Sequence, residues 1–107
     1  MNNINEILRA NRLLETYGSL LTPSQKEIME DYYAFNLSFA EVAEQRKISR
    51  AAVADSLKKT LEKLEELESN LHLVSKKDKL EKSISSIDKI NKDEKIKVLL
   101  NEMKKDI

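Results

Sequence analysis

A chain of 107 residues, 40% hydrophobic and 36% charged, has room for one compact domain with at most a helical extension. Its 19 basic and 19 acidic groups cancel, unlike the basic excess of a dedicated nucleic-acid binder, and the absence of cysteine removes disulfides, thiolate metal sites and cysteine nucleophiles. One Gly and one Pro leave too little turn punctuation for a many-stranded sheet, so an all-α fold is expected.

The first apolar set is Ile4, Ile7, Leu8, Leu14, Tyr17 and Leu21, mostly on one helical face, with Gly18 as the expected stop. Thr22-Pro23-Ser24-Gln25 then opens a second helix. Thr caps it, Pro loses no needed N–H at the first helical position, and Gln closes a capping box. This helix is expected to run to Phe35, bury Ile28, Met29, Tyr32 and Phe35, and break at Asn36. A second capping box, Ser38-Phe39-Ala40-Glu41, starts a short helix ending near Gln45 or Arg46. Ser49 caps the next one after a turn at Arg46, Lys47 and Ile48. Two helices separated by so few residues form a helix-turn-helix. Ala43 sits at the close crossing, Ile48 is expected to point inward, and Val53 and Leu57 pack back.

The second helix of the pair does not stop where a recognition helix would. Val53, Leu57, Thr60, Leu64, Leu67, Leu71 and Val74 repeat at alternating steps of four and three, as in a coiled-coil seam, and predict one long helix over residues 50–72. Leu57, Leu64, Leu67 and Leu71 are therefore candidates for the seam of a homodimer. The competing use of the stripe is as an inner face for the chain's own helices. Beyond it, a start at Ser75-Lys76-Lys77-Asp78 leads into Leu80, Ile84, Ile87 and Ile90. A final helix over about 93–105 uses Ile96, Leu99, Leu100 and Met103. The expected division is a helix-turn-helix domain over residues 1–74 and a basic amphipathic helical tail over residues 75–107, where ten lysines face seven acids.

The stretch from Leu20-Leu21-Thr22 to Tyr32-Tyr33, then Leu37-Ser38, Glu41-Val42-Ala43-Glu44, Ser49-Arg50 and Lys58-Lys59-Thr60, closely resembles the YlxM-like family of small bacterial proteins. The resemblance covers residues 7–74. It implies an orthogonal helical bundle with a helix-turn-helix like that of sigma factor region 4, and a DNA-binding or regulatory role. It also implies a link to the signal recognition particle pathway, with the particle's RNA or protein as partner. Where the family pattern after Ser-Arg reads Gln-Ala-Val-Tyr-Asp, this chain has Ala51-Ala52-Val53-Ala54-Asp55.

A helix-turn-helix distinguishes bases by pushing the start of its second helix into the major groove, where Arg, Lys, Asn or Gln make paired hydrogen bonds. The alanines at 51, 52 and 54 leave Arg50 as the one base or phosphate donor on that segment, so a poor reader of sequence is expected. Arg46, Lys47, Lys58 and Lys59 are the candidate backbone contacts, with Ser49 placing the helix and its positive end. No aromatic residue follows Phe39, which leaves the tail without a stacking platform for single-stranded bases. His72 stands alone, so no metal or cofactor is expected. Glu30-Asp31 and Asp93-Glu94 diverge on helices, so neither pair is spaced for acid/base work. Without a phosphate-binding glycine loop or a Ser/His/Asp set, neither an enzyme nor a small-molecule substrate is expected. No apolar run approaches the ~20 residues that span a bilayer, and the Asn-rich, acidic start does not read as a signal peptide; a cytoplasmic protein without membrane insertion is expected.

Overall fold

A computed structural model describes residues 3–107; Asn2 of the Asn-rich start lies outside them. The described residues form six α-helices and no strand: α1 (Ile4–Tyr17), α2 (Pro23–Met29), α3 (Phe39–Arg46), α4 (Arg50–Leu71), α5 (Leu73–Ile90) and α6 (Glu94–Lys105). They fall into two compact units, the first ending at Leu71 and the second running from His72 to Ile107.

Local chemistry explains most boundaries. Asn3 accepts from the Glu6 N–H at 2.9 Å and caps α1. Both predicted capping boxes form. The Gln25 N–H donates to Thr22 Oγ1 at 3.2 Å and the Thr22 N–H to Gln25 Oε1 at 3.1 Å, while the Ser38–Glu41 pair exchanges bonds of 3.1 and 3.0 Å. Gly18 is the stop expected of it, the residue at which α1 ends, but not in the left-handed conformation common at such stops. Its φ of −57° is right-handed helical, and the chain continues through a 3₁₀ turn over Gly18–Leu20. A Cβ there would meet Leu14 and Lys26 side chains no closer than 3.5 Å, so neither backbone freedom nor space requires glycine.

The second helix also departs from the expected straight run to Phe35. It is α-helical to Met29 and then widens into a π turn over Glu30–Ala34, closed by the Phe35 N–H donating to the Glu30 carbonyl at 2.9 Å. The extra residue in that turn rotates the side chains that come after it. Ile28, Met29 and Asp31 are buried, Tyr32 is half-buried, and Phe35 is 66% exposed. Asn36 then takes the left-handed conformation at φ 57°, in keeping with the expected break. Asn11 of α1 donates to the Tyr33 carbonyl at 3.1 Å, supplying a partner for a carbonyl at the helix end.

In the first unit α4 packs against α1, α2 and α3. The α1 contribution is Ala10, Leu13, Leu14 and Tyr17, whereas Ile4 and Leu8 of the predicted face are exposed. The α4 contribution is Val53, Leu57, Thr60, Leu64 and Glu68. The buried stripe thus follows the predicted four-three alternation as far as Leu64. It then steps by four to Glu68, whose Oε1 accepts a bond from the Tyr17 hydroxyl at 2.5 Å. The helix ends at Leu71 because His72 adopts a left-handed φ of 56°, so Val74 belongs to α5 and the seven-position stripe is split between two helices.

In the second unit α5 starts two residues before the expected Ser75, and α6 is capped by Asp93, whose Oδ1 accepts from the Lys95 and Ile96 N–H groups at 2.7 and 3.4 Å. Ile84 and Leu100 are buried. Asp88 bridges the two helices, meeting Lys97 at 2.7 Å and Lys104 at 3.1 Å.

Candidate nucleic-acid interface

The helix-turn-helix consists of α3, a three-residue turn and the start of α4. The turn is made by Lys47 at φ 56°, which lets the Ile48 N–H reach back to the Ala43 carbonyl at 3.1 Å and close the end of α3. Ser49 then accepts from the Ala52 N–H at 3.0 Å and fixes where α4 begins, the positioning role expected of it. Val42, Ala43, Val53 and Leu57 are buried where the two helices meet. Ile48 is not the inward anchor expected; it is 38% exposed because the left-handed residue before it turns the chain outward.

The basic candidates separate into distinct groups. Lys47, Arg50 and Lys58 are exposed and have no ion-pair partner among the described residues. Lys59 meets Asp55 one turn earlier at 3.0 Å, but both side chains are well exposed, so the pair is loose and screened. Arg46 is different. Its guanidinium donates to Asp31 at 2.8 Å and to Glu27 at 2.7 Å, tying the end of α3 to α2 and its π turn. The hydrogen bond to Asp31 comes first among the causes that raise its pKa above the ordinary arginine value. Asp31 itself is only 7% exposed, so this cation is committed to holding the motif together.

The outward stripe of α4 is Ala51, Asp55, Lys58 and Glu62, at helical steps of four, three and four. Its first turn is a smooth methyl surface, and its single cation is flanked by two acids. Such a face has little capacity for paired hydrogen bonds to base edges. What it can do is approach a phosphate backbone, with Lys47 and Arg50 at the turn, Lys58 just over two turns on, and the positive end of a capped helix between them.

The other predicted set is divided by burial. Leu57 and Leu64 are covered inside the chain's own core, Leu67 is half-buried, and Leu71 is 45% exposed. Two contacts had no readable signal in the sequence. Asp31 and Arg46 stand 15 positions apart and Tyr17 and Glu68 stand 51 apart, spacings that no local periodicity marks. The aromatic cluster was partly visible in composition, since four of the five aromatic residues fall between positions 32 and 39. In space, Tyr32 meets Tyr33 edge-on at 4.9 Å and lies 5.0 Å from Phe39. Among the described residues no group of His, Asp or Glu could hold a metal ion, and no helix is long and apolar enough to cross a membrane.

Comparison with known proteins adds a family profile, UPF0122, described as "Putative helix-turn-helix protein, YlxM / p13 like", which matches residues 4–106. A UPF0122 protein of Pediococcus pentosaceus is 49% identical over 67 residues, 63% of this chain and 59% of the relative. The UPF0122 protein YofM of Lactococcus lactis subsp. lactis is 49% identical over 67 residues, with 63% and 60% covered. A UPF0122 protein of Oceanobacillus iheyensis is 42% identical over 73 residues, 68% of this chain and 70% of the relative. The matched stretch thus spans 59–60% of the length of the first two relatives.

Proposed function

Because the chain belongs to UPF0122, the YlxM/p13-like helix-turn-helix family, we propose that it is a non-enzymatic accessory or regulatory protein. In this reading it holds the phosphate backbone of a nucleic acid without reading its sequence. The observation that carries the reading is the set of exposed, unpaired cations Lys47, Arg50 and Lys58 around the capped start of α4, next to alanines at 51, 52 and 54. Lys59 joins them when a phosphate competes with Asp55 for its ammonium. Arg46 acts behind the surface, holding α3 in place against α2. The cytoplasmic signal recognition particle pathway is the assigned setting, on the family resemblance of residues 20–60, and the particle's RNA is the assigned ligand.

The test is fluorescence anisotropy of labelled particle RNA and of generic duplex DNA, with the full chain, across a salt series. Three phosphate contacts predict a log–log salt slope of about −2 to −3. Arg50→Ala/Lys58→Ala should abolish RNA binding while the helical circular dichroism stays unchanged. Markedly tighter binding to the DNA than to the RNA would replace the accessory role by that of a dimeric DNA-binding regulator. Binding to neither would leave the motif as scaffold in a protein-interaction module.

A further inference from the structure

The second unit, residues 72–107, buries only Val74, Ile84 and Leu100 among its apolar side chains. It leaves far more outside. Leu80 and Ile87 on α5 and Ile96, Leu99 and Met103 on α6 are each between 42% and 58% exposed.

These residues share a side. On α5 the spacing of seven keeps Leu80 and Ile87 in one row beside buried Ile84, with Ile90 one turn on. On α6 Ile96 and Met103 flank buried Leu100 in the same way, at steps of four and three. Ile87, Ile90 and Ile96 line one surface groove, which fixes the two rows as neighbours across the hairpin. The polar link, Asp88 with Lys97 and Lys104, occupies positions on each helix turned away from those rows.

A two-helix layer with one continuous apolar face is half of a four-helix bundle. We propose that the occupant of this face is the same face of a second copy, so that α5 and α6 of two chains form a four-helix bundle and a two-fold dimer. Two quantities favour a second copy. The uncovered apolar face consists of six large side chains, Ile90 included, each 42–80% exposed, a substantial part of what the roughly 800 Å² contributed by each partner of a standard stable interface requires. A helical unit of fewer than about 40 residues also normally needs a disulfide, a metal or self-association to be stable. There is no cysteine in the chain, and no metal-binding group among the described residues. The excess of three positive charges on residues 73–107 opposes pairing only weakly, because exposed lysines are screened beyond about 8 Å at physiological salt. This seam differs from the one expected on α4, where Leu57 and Leu64 are already consumed by the core.

Sedimentation equilibrium of the full chain, from low micromolar to millimolar, tests the proposal without nucleic acid and so independently of the proposed function. The expected result is a dimer that Ile87→Glu/Ile96→Glu weakens at least about a hundredfold, since four buried carboxylates would enter the bundle. Ile87→Leu/Ile96→Leu should leave the dimer intact. Circular dichroism at matched concentration confirms that the first unit stays helical in each variant. A chain that remains monomeric at millimolar concentration overturns the proposal. So does a dimer that survives the glutamates and is broken instead by Leu67→Glu/Leu71→Glu. A monomer that gains helicity on anionic phosphatidylserine vesicles would assign the face to a membrane surface, which also overturns it.

Discussion

Thr60 sits at the centre of the α4 stripe, 1% exposed, and its hydroxyl has no hydrogen-bond partner among the described residues. A buried, unpaired hydroxyl forfeits its bonds to water without replacement. Thr60→Val keeps the shape and removes the liability. Stability should rise by about 1 kcal/mol, measured by urea unfolding. The seam pattern identified Thr60 as an inward position, but the lack of a partner is a matter of what lies opposite, which sequence spacing does not encode. The same limit hid the Arg46 clamp. A basic residue beside a helix-turn-helix turn reads as a nucleic-acid contact until Asp31 and Glu27 are found within 2.8 Å of it. Two carboxylates contribute to the acid limb of stability. The Lys97 hydrogen bond, followed by that of Lys104, lowers the pKa of Asp88 below its ordinary value. The Ser38 backbone and hydroxyl bonds do the same for Glu41. A carboxylate whose folded pKa is depressed stabilises the fold above its unfolded value and loses that contribution as pH falls through the folded one. Carboxyl carbon NMR should therefore give a midpoint below the ordinary carboxylate value for each group. Asp88→Asn should flatten the acid loss of the α5–α6 hairpin while leaving the Glu41 titration in place.

At the scale of elements the sequence was most legible where a cap and an apolar period coincide. Thr22, Ser38 and Ser49 each begin a helix where capping chemistry put it, and α4 and α6 occupy nearly their expected spans. It was least legible where the backbone changes its winding. The 3₁₀ turn after Tyr17, the π turn before Phe35 and the left-handed His72 use ordinary residues in unusual conformations, and tertiary packing outweighs propensity there. Lys47 shows the cost of such a position. A side chain in the left-handed region is disfavoured relative to glycine, and Lys47 occupies the C-terminal closure of α3 where glycine is preferred. Lys47→Gly should stabilise the chain by up to about 1 kcal/mol in thermal unfolding. The same variant should lower the salt slope of nucleic-acid binding by about one, because one phosphate contact goes with the ammonium. Higher stability with an unchanged slope would confine Lys47 to its turn-forming role.

For the whole molecule the contrast between the two units matters more than their shared helicity. Among the described residues, twelve buried apolar side chains lie in the first unit and three in the second. Amide exchange should be slowest in α1 and α4 and fastest in α5 and α6 when the chain is dilute. If two hairpins cover each other, protection in α5 and α6 should rise with protein concentration while that of α1 and α4 stays constant, a pattern read directly by exchange mass spectrometry. The all-α class and the helix-turn-helix were both legible because they rest on local signals repeated several times. The division of labour between core and surface was not, since it depends on which of two apolar stripes on one chain finds cover first. Leu57 and Leu64 found it within the first unit; Leu80 and Ile87 did not within the second.

The π turn carries one residue more than a plain helix would need between Glu30 and Phe35. Such a surplus is a place where a gene can lose a codon without tearing the protein. A deletion at Tyr33 or Ala34 would let the segment rewind as ordinary α-helix, with Asp31 still in place for Arg46. The cost would fall on the outward Phe35, turned by about 100°, and, for a deletion at Tyr33, on the Asn11 hydrogen bond to its carbonyl. Length variation among descendants of this sequence would then be absorbed as a change of surface, not of architecture.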